Sequence, residues 1–144
     1  MTSLPRSVRG HRTLPHTADL RIEAWAPTRE ACLAESVAAL VASFGDVTGA
    51  EPGSTVTVEI VDAQTDQDAL ITVLDEVIYL LDTQAAVPVG VDVEPAPGGV
   101  CMRLQLAALD SVEITGAVPK AVTLNQLEIA HGPHGWCCGV TVDV

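Results

Sequence analysis

Several short stretches of the chain alternate apolar and polar residues, which is the pattern of half-buried β-strands. The clearest stretches lie at 19–24, 56–60, 87–93 and 102–106. In the first of them, Leu20, Ile22 and Ala24 are expected to face the core. The last two flank a turn rich in Pro and Gly, so they predict a β-hairpin and antiparallel pairing.

Two further strands are predicted in the last quarter of the chain. The sequence from 117 to 130 is typical of a strand, but its apolar residues change from even-numbered to odd-numbered positions between Leu124 and Leu127. Such a shift indicates a bulge or bend. Alternation over 136–142 predicts a closing strand.

Two longer stretches carry apolar residues at helical spacing. Thr28 is a suitable N-cap for a helix over 28–44, and Gly45 is a suitable stop. A second helix is expected to begin at Thr65, because Thr65 and Asp68 have the spacing of a capping box. The two apolar stripes match: Leu33, Val37, Leu40, Val41 and Phe44 in the first helix, and Leu70, Leu74, Val77, Ile78 and Leu81 in the second. The sequence therefore predicts an α+β fold, with a largely antiparallel β-sheet and two amphipathic helices packed on one face.

The length of 144 residues favours a single domain. Residues 1–11 are expected to form a flexible N-terminal tail, and residues 12–144 the domain. No stretch is apolar enough to cross a membrane, and 1–10 has no apolar core of the kind found in a secretion signal, so we expect a cytoplasmic protein without membrane contact.

The charge of the chain is strongly negative and uneven. Seven Lys and Arg face nineteen Asp and Glu, for a formal charge of −12, and no Lys or Arg occurs between 30 and 102. Because nucleic-acid affinity comes mainly from basic side chains, direct RNA or DNA binding is not expected. The acidic surface suits either a basic protein partner or simple solubility.

Two groups of residues have side chains that commonly bind metals. His131, His134 and Cys137 are close in sequence, but Gly and Pro around them are typical of an exposed turn without metal. The four cysteines, which include Cys137, have no CxxC spacing and are expected to be buried, reduced thiols. Asp19 and Asp143 both lie on the polar side of predicted strands, where they either converge or remain solvated surface carboxylates.

If the two aspartates converge, their carboxylates and the terminal Val144, through its carbonyl and chain-end carboxylate, offer only oxygen donors. Oxygen donors suit Ca²⁺ or Mg²⁺ better than zinc. Lys120 is the one lysine of the chain and shares strand parity with Val122 and Leu124. Its ammonium group therefore either meets an acceptor or extends to solvent.

Four motifs occur together in this sequence, and their order and spacing resemble the archease family. They are Leu14-Pro15-His16-Thr17-Ala18-Asp19-Leu20, Leu80-Leu81-Asp82-Thr83, Lys120-Ala121-Val122-Thr123, and Trp136 followed by Val142-Asp143-Val144. The resemblance extends from about Arg12 to Val144.

The resemblance implies a non-catalytic accessory protein of tRNA splicing and RNA repair. Such proteins activate the RNA-splicing ligase that joins a 2′,3′-cyclic- or 3′-phosphate end to a 5′-hydroxyl. The implied role is to promote guanylylation of the ligase's active-site histidine, to sustain turnover and to broaden the accepted nucleotide. GTP and RNA are then contacted only through the ligase.

The family's functional residues fall on positions that the residue patterns had already singled out. The resemblance assigns the metal site to Asp19, Asp143 and Val144, holding Ca²⁺ or Mg²⁺/Mn²⁺, and the activation role to Lys120. It makes His16 a candidate for supporting the metal ligands through a hydrogen bond, with a purely structural role as the alternative. The chain departs from the family at Leu124-Asn125, where members commonly have Tyr-His.

Two other functions are compatible with these residues. The alternative to ligase activation is a chaperone-like binding module for another RNA-modifying enzyme, such as a tRNA methyltransferase. A metal-dependent hydrolase is the weakest candidate, because two aspartates and one lysine lack a placed nucleophile or base.

Overall fold

The computed structural model describes residues 8–15 and 19–144. Antiparallel strands dominate this part of the chain. The strands are β1 (Gly10–Pro15), β2 (Asp19–Ala26), β3 (Gly45–Asp46), β4 (Ser54–Ile60), β5 (Ala86–Ala96), β6 (Gly99–Ala108), β7 (Glu113–Ile114), β8 (Ala121–Gly132) and β9 (Gly135–Asp143). The helices are α1 (Arg29–Ala42) and α2 (Asp66–Gln84), and a single 3₁₀ turn covers Leu109–Ser111.

Within the described residues the strands form three sheets. One has four strands in the order β1-β2-β9-β8, one has three in the order β4-β6-β5, and β3 pairs with β7. Every pairing is antiparallel. The predicted α+β class is confirmed, with one difference: two main sheets replace the single expected sheet, and each helix contacts strands of both.

Both helices begin at the predicted caps. The Thr28 hydroxyl accepts a hydrogen bond from the Ala31 N–H at 3.1 Å, and the Thr65 hydroxyl accepts one from the Asp68 N–H at 3.1 Å. These bonds satisfy amide groups that have no partner within the helix. No helix in the described part of the chain combines the length and the apolar character needed to cross a membrane.

The two predicted apolar stripes form the centre of the core. Nearly all of their residues are buried, and Ile78 alone is partly exposed. They pack against buried side chains of both main sheets, among them Ile22, Val87, Met102 and Leu104. Full burial of a side chain of this size contributes about 1.5–3 kcal/mol relative to exposure.

The predicted strands are present with shifted bounds. The hairpin of β5 and β6 is confirmed, and so is the bulge in β8, where the register to β9 shifts between Thr123 and Glu128. Residues 117–120, predicted to be part of that strand, lie outside it. At the other end, β1 takes in Gly10 and His11, two residues of the predicted tail, while 1–7 lie outside the described residues.

The expectation of four buried thiols is wrong for two of them. Cys32 and Cys138 are buried, whereas Cys101 is half-buried and Cys137 is exposed. The difference follows from strand geometry, because adjacent residues such as Cys137 and Cys138 point to opposite faces of β9. The hydrogen bond with Cys32, together with burial, raises the pKa of the Cys138 thiol.

Candidate functional site

Asp19 and Asp143 are direct cross-strand neighbours in the four-stranded sheet. Asp19 is the first residue of β2, Asp143 is the last residue of β9, and the two are paired in the antiparallel register. Directly opposed residues point to the same face of a sheet. Asp143 is exposed and Asp19 is half-buried, so the two carboxylates share one face at one end of the sheet.

Lys120 lies beside this pair, on the other side of Asp143. Its backbone N–H donates a hydrogen bond to the Asp143 carbonyl at 2.8 Å, and the next residue, Ala121, pairs with Asp143 in the sheet. Lys120 is exposed, and its ammonium group forms no ion pair with the described residues. Because β8 begins only at Ala121, Lys120 lies before the strand, and the parity that it shares with Val122 does not place its side chain in the core.

Of the other two predicted site residues, Val144 is described by the structure and His16 is not. Val144 follows Asp143 and is half-buried, so its main chain is close to the aspartate pair. His16 lies outside the described residues. Among residues 8–15 and 19–144, no group of three His, Cys, Asp or Glu side chains is arranged to hold a metal ion. Among the described residues, the side-chain donors at this sheet end are therefore the two carboxylates, and main-chain oxygens such as that of Val144, water or a partner would have to complete the coordination of a cation.

Arg21 forms the next row of the same sheet face and fixes the bulge of β8. Its side chain is only 14% exposed. Nη1 donates to the Gln126 carbonyl at 2.9 Å, and Nη2 lies 3.2 Å from Glu128 Oε1. Gly139 makes room for the guanidinium, because a Cβ at that position would lie 2.2 Å from Nη2. We refer to these four residues as the arginine clamp.

The bulge that the clamp holds contains the pair in which the chain departs from the family pattern. Leu124 is 72% exposed, and Asn125 is exposed beside it. Gln126 has a φ of 57°, in the left-handed region, which turns its carbonyl towards Arg21. Leu124-Asn125 therefore forms a protruding part of β8 rather than part of the core.

A groove next to Lys120 was not singled out by the sequence patterns. It lies between α2 and residues 118–120 and has a volume of about 630 Å³. Asp75, Tyr79 and Asp82 line it from the exposed side of α2. One signal in the sequence marks them: they recur at helical spacing opposite the apolar stripe, and Tyr79 is the one tyrosine of the chain.

The two histidines of the zinc alternative lie in different elements: His134 is in the predicted turn, whereas His131 is still part of β8 and pairs with Trp136. Both histidines are exposed. The His131 ring stacks on Trp136, with ring centroids 5.0 Å apart and an angle of 10° between the planes. The stacking gives His131 a structural contact at the end of the hairpin.

The fold and this sheet end define a small acidic α+β domain that brings two aspartates and a lysine together away from its core. Comparison with known proteins then identifies the family. Residues 11–144 match the model of the Archease protein family. The chain belongs to the archease family.

Relatives and solved structures agree with this assignment. The chain is 46% identical over 140 residues to the protein named "Probable protein archease" in two strains of Mycobacterium tuberculosis, covering 97% of this chain and 78% of theirs. The fold is similar to that of Methanobacterium thermoautotrophicum protein 1598, with a TM-score of 0.70, 21% identity and coverage of 94% and 99% of the two chains. It is also similar to a Thermotoga maritima archease described as a possible chaperone, with a TM-score of 0.65, 15% identity and full coverage of both chains.

Proposed function

We propose that this protein activates an RNA ligase that joins a 2′,3′-cyclic- or 3′-phosphate end to a 5′-hydroxyl in tRNA splicing and RNA repair. It acts as a non-catalytic accessory protein: it promotes guanylylation of the ligase's active-site histidine and sustains turnover, while the ligase binds GTP and RNA. Family membership supports the proposal. The observation that carries it is the register that pairs Asp19 with Asp143 next to Lys120.

The electrostatics of the aspartate pair favour a divalent cation between the two strands. Like charges directly opposite each other in a sheet destabilise it, and a bound cation removes that repulsion. Carboxylate oxygens from Asp19 and Asp143 and the main-chain oxygen of Val144 suit Ca²⁺, Mg²⁺ or Mn²⁺. When bound, such a cation supplies positive charge to a phosphate group of the ligase's nucleotide.

Lys120 supplies a second positive charge at the same sheet end. Its ammonium group is exposed and has no ion-pair partner among the described residues. It is therefore available to donate hydrogen bonds to phosphate oxygens presented by the ligase. The hydrogen bond from its N–H to the Asp143 carbonyl ties the position of its backbone to that of the aspartate pair.

The net charge of −12 suits docking on the basic surface by which a ligase binds RNA. Long-range attraction of this kind mainly increases the association rate and weakens with salt. We therefore expect activation to decline with ionic strength more steeply than the joining reaction of the ligase alone.

Cation binding is tested by thermal unfolding of the wild type with and without Ca²⁺, Mg²⁺ or Mn²⁺. At a cation concentration of about 100 Kd the stabilisation is about 2.7 kcal/mol, which corresponds to roughly 5–10 °C in Tm for a domain of this size. Asp19→Asn and Asp143→Asn should abolish the shift and leave the metal-free Tm equal or higher. Asp62→Asn, which removes an exposed loop carboxylate, is the matched control. Equal shifts in all four proteins would contradict the site.

Activation is tested by single-turnover and multiple-turnover RNA joining with the ligase of the same organism, GTP and Mn²⁺ or Mg²⁺. The wild type should accelerate guanylylation and restore turnover. Asp19→Asn, Asp143→Asn and Lys120→Ala should lose both effects while remaining folded. A wild type that changes neither step would refute the proposal.

A second candidate is a chaperone-like module for another RNA-modifying enzyme, such as a tRNA methyltransferase. The description of the Thermotoga maritima relative as a possible chaperone favours it. Affinity capture from the native lysate separates the two functions by which enzyme is recovered, the ligase or the methyltransferase.

A further inference from the structure

The groove between α2 and residues 118–120 is bordered by an exposed stripe of the helix. Asp75, Tyr79 and Asp82 lie four and three residues apart on α2, so their side chains project from one side of it. The opposite wall is formed by Val118, Pro119 and Lys120. The volume of about 630 Å³ is large enough for several side chains of a partner.

The groove has an excess of negative charge that the described residues do not neutralise. Neither Asp75 nor Asp82 forms an ion pair or a side-chain hydrogen bond with the residues that the structure describes. The α2 helix contains no Lys or Arg, so Lys120 is the one cation on the groove wall. Partial burial raises the pKa of the Asp75 carboxyl group. A partly desolvated carboxylate without a cation gains most from a partner's positive charge.

The groove also exposes apolar and aromatic surface next to these carboxylates. Tyr79 is 58% exposed and Val118 is 39% exposed, so neither is covered by the rest of the described chain. An arginine side chain matches both features, since its guanidinium pairs with a carboxylate and stacks on an aromatic ring. Its methylene stem packs on apolar surface such as that of Val118.

We propose that this groove is the docking surface for an arginine-bearing segment of the ligase, formed by Asp75, Tyr79 and Asp82 on one wall and Val118 on the other. The proposal rests on the proposed function, because the ligase is the occupant. The groove is continuous with the candidate cation site through Lys120, which lines the groove and whose N–H bonds to the Asp143 carbonyl at 2.8 Å. A segment held in the groove therefore brings the ligase against the aspartate pair.

The test measures ligase affinity separately from the chemistry of activation. Binding of the full-length protein to the ligase is measured by biolayer interferometry, and stimulation of RNA joining is titrated against protein concentration. Asp75→Asn and Tyr79→Ala should each weaken Kd about tenfold, and Asp75→Lys more than tenfold. The concentration for half-maximal stimulation should rise by the same factors. Asp62→Asn, an exposed carboxylate outside the groove, should match the wild type.

The outcomes distinguish the docking surface from the proposed function. If the wild type binds and stimulates the ligase and all three groove variants keep its Kd, the docking surface is refuted and the proposed function stands. If the wild type neither binds nor stimulates, both are refuted. The substitutions lie on exposed positions, and circular dichroism confirms that the variants are folded. A loss of affinity confined to Asp75→Asn, Asp75→Lys and Tyr79→Ala supports the groove.

Discussion

The arginine clamp allows a quantitative prediction about the stability of the four-stranded sheet. Replacing Arg21 by Ala removes the hydrogen bond to the Gln126 carbonyl, which contributes about 1–1.5 kcal/mol. It also removes the ion pair with Glu128, which contributes no more than about 0.5–1 kcal/mol because Glu128 is 69% exposed. We expect the free energy of unfolding to fall by about 2 kcal/mol, and Tm by roughly 4–8 °C.

The assay is urea unfolding followed by circular dichroism, with Arg103→Ala as the matched control. Arg103 is an exposed arginine whose nearest carboxylate, on Asp92, is 3.7 Å away, so its loss should cost less than about 0.5 kcal/mol. A double-mutant cycle tests the geometry: Gly139→Ala should destabilise the wild type but cost much less in Arg21→Ala, where the guanidinium no longer blocks the added Cβ. Equal losses for Arg21→Ala and Arg103→Ala, or additive effects of Arg21→Ala and Gly139→Ala, would refute the reasoning.

Three further predictions concern single residues away from the sheet end. Ala85 follows α2 with a φ of 49°, a left-handed conformation that glycine adopts without a Cβ clash. Ala85→Gly should therefore raise the free energy of unfolding by about 0.5–1 kcal/mol, measured by thermal or urea unfolding. A lower free energy of unfolding in this variant would contradict backbone strain at Ala85. Burial raises the pKa of Glu35, but hydrogen bonds from Arg9 and His11 outweigh it, so the pKa is lowered overall. The stabilising effect of the Glu35 carboxylate is therefore present above about pH 4.3 and is lost as the pH falls through the folded-state pKa. Glu35→Gln should therefore be less stable than the wild type at pH 7, with the difference disappearing at low pH in unfolding curves at several pH values, whereas a pH-independent difference would exclude the linkage. With a thiol reagent under native conditions, Cys137 should react at once, while Cys32 and Cys138 should react only after denaturation, and rapid labelling of either buried thiol would disprove their burial.

Local patterns were enough to predict most of the elements. Both helices begin at the predicted Thr caps because capping depends on residues within one turn. The bulge in β8 was predicted because the parity of apolar residues changes within a few positions. By contrast, β1 was missed, since Gly10–Pro15 lacks alternating apolar residues. The division into two main sheets was missed for a related reason: it depends on which strands pair, and strand alternation does not encode partners.

The candidate site shows the same division between local and long-range information. The alternation of apolar and polar residues predicts that Asp19 and Asp143 lie on the polar sides of their strands. It does not decide whether the two carboxylates converge or remain separate on the surface. The pairing of β2 with β9 brings them together, and nothing in either segment alone specifies that pairing. The groove was missed because it forms between α2 and a segment distant in sequence. The roles of Asp19, Asp143, Val144 and Lys120 stay predictions until the variants are measured.

The register of β2 against β9 also affects when the site can form during folding. These two strands come from opposite ends of the described sequence, so their pairing closes a loop that contains both helices and the three-stranded sheet. Contacts of such large sequence separation form slowly, because the chain entropy of closing the loop must be overcome first. The aspartate pair therefore cannot exist in a nascent chain that has not yet made β9. Under the proposed function, chains in which β2 and β9 are not yet paired would not activate the ligase, so activation would report complete folding.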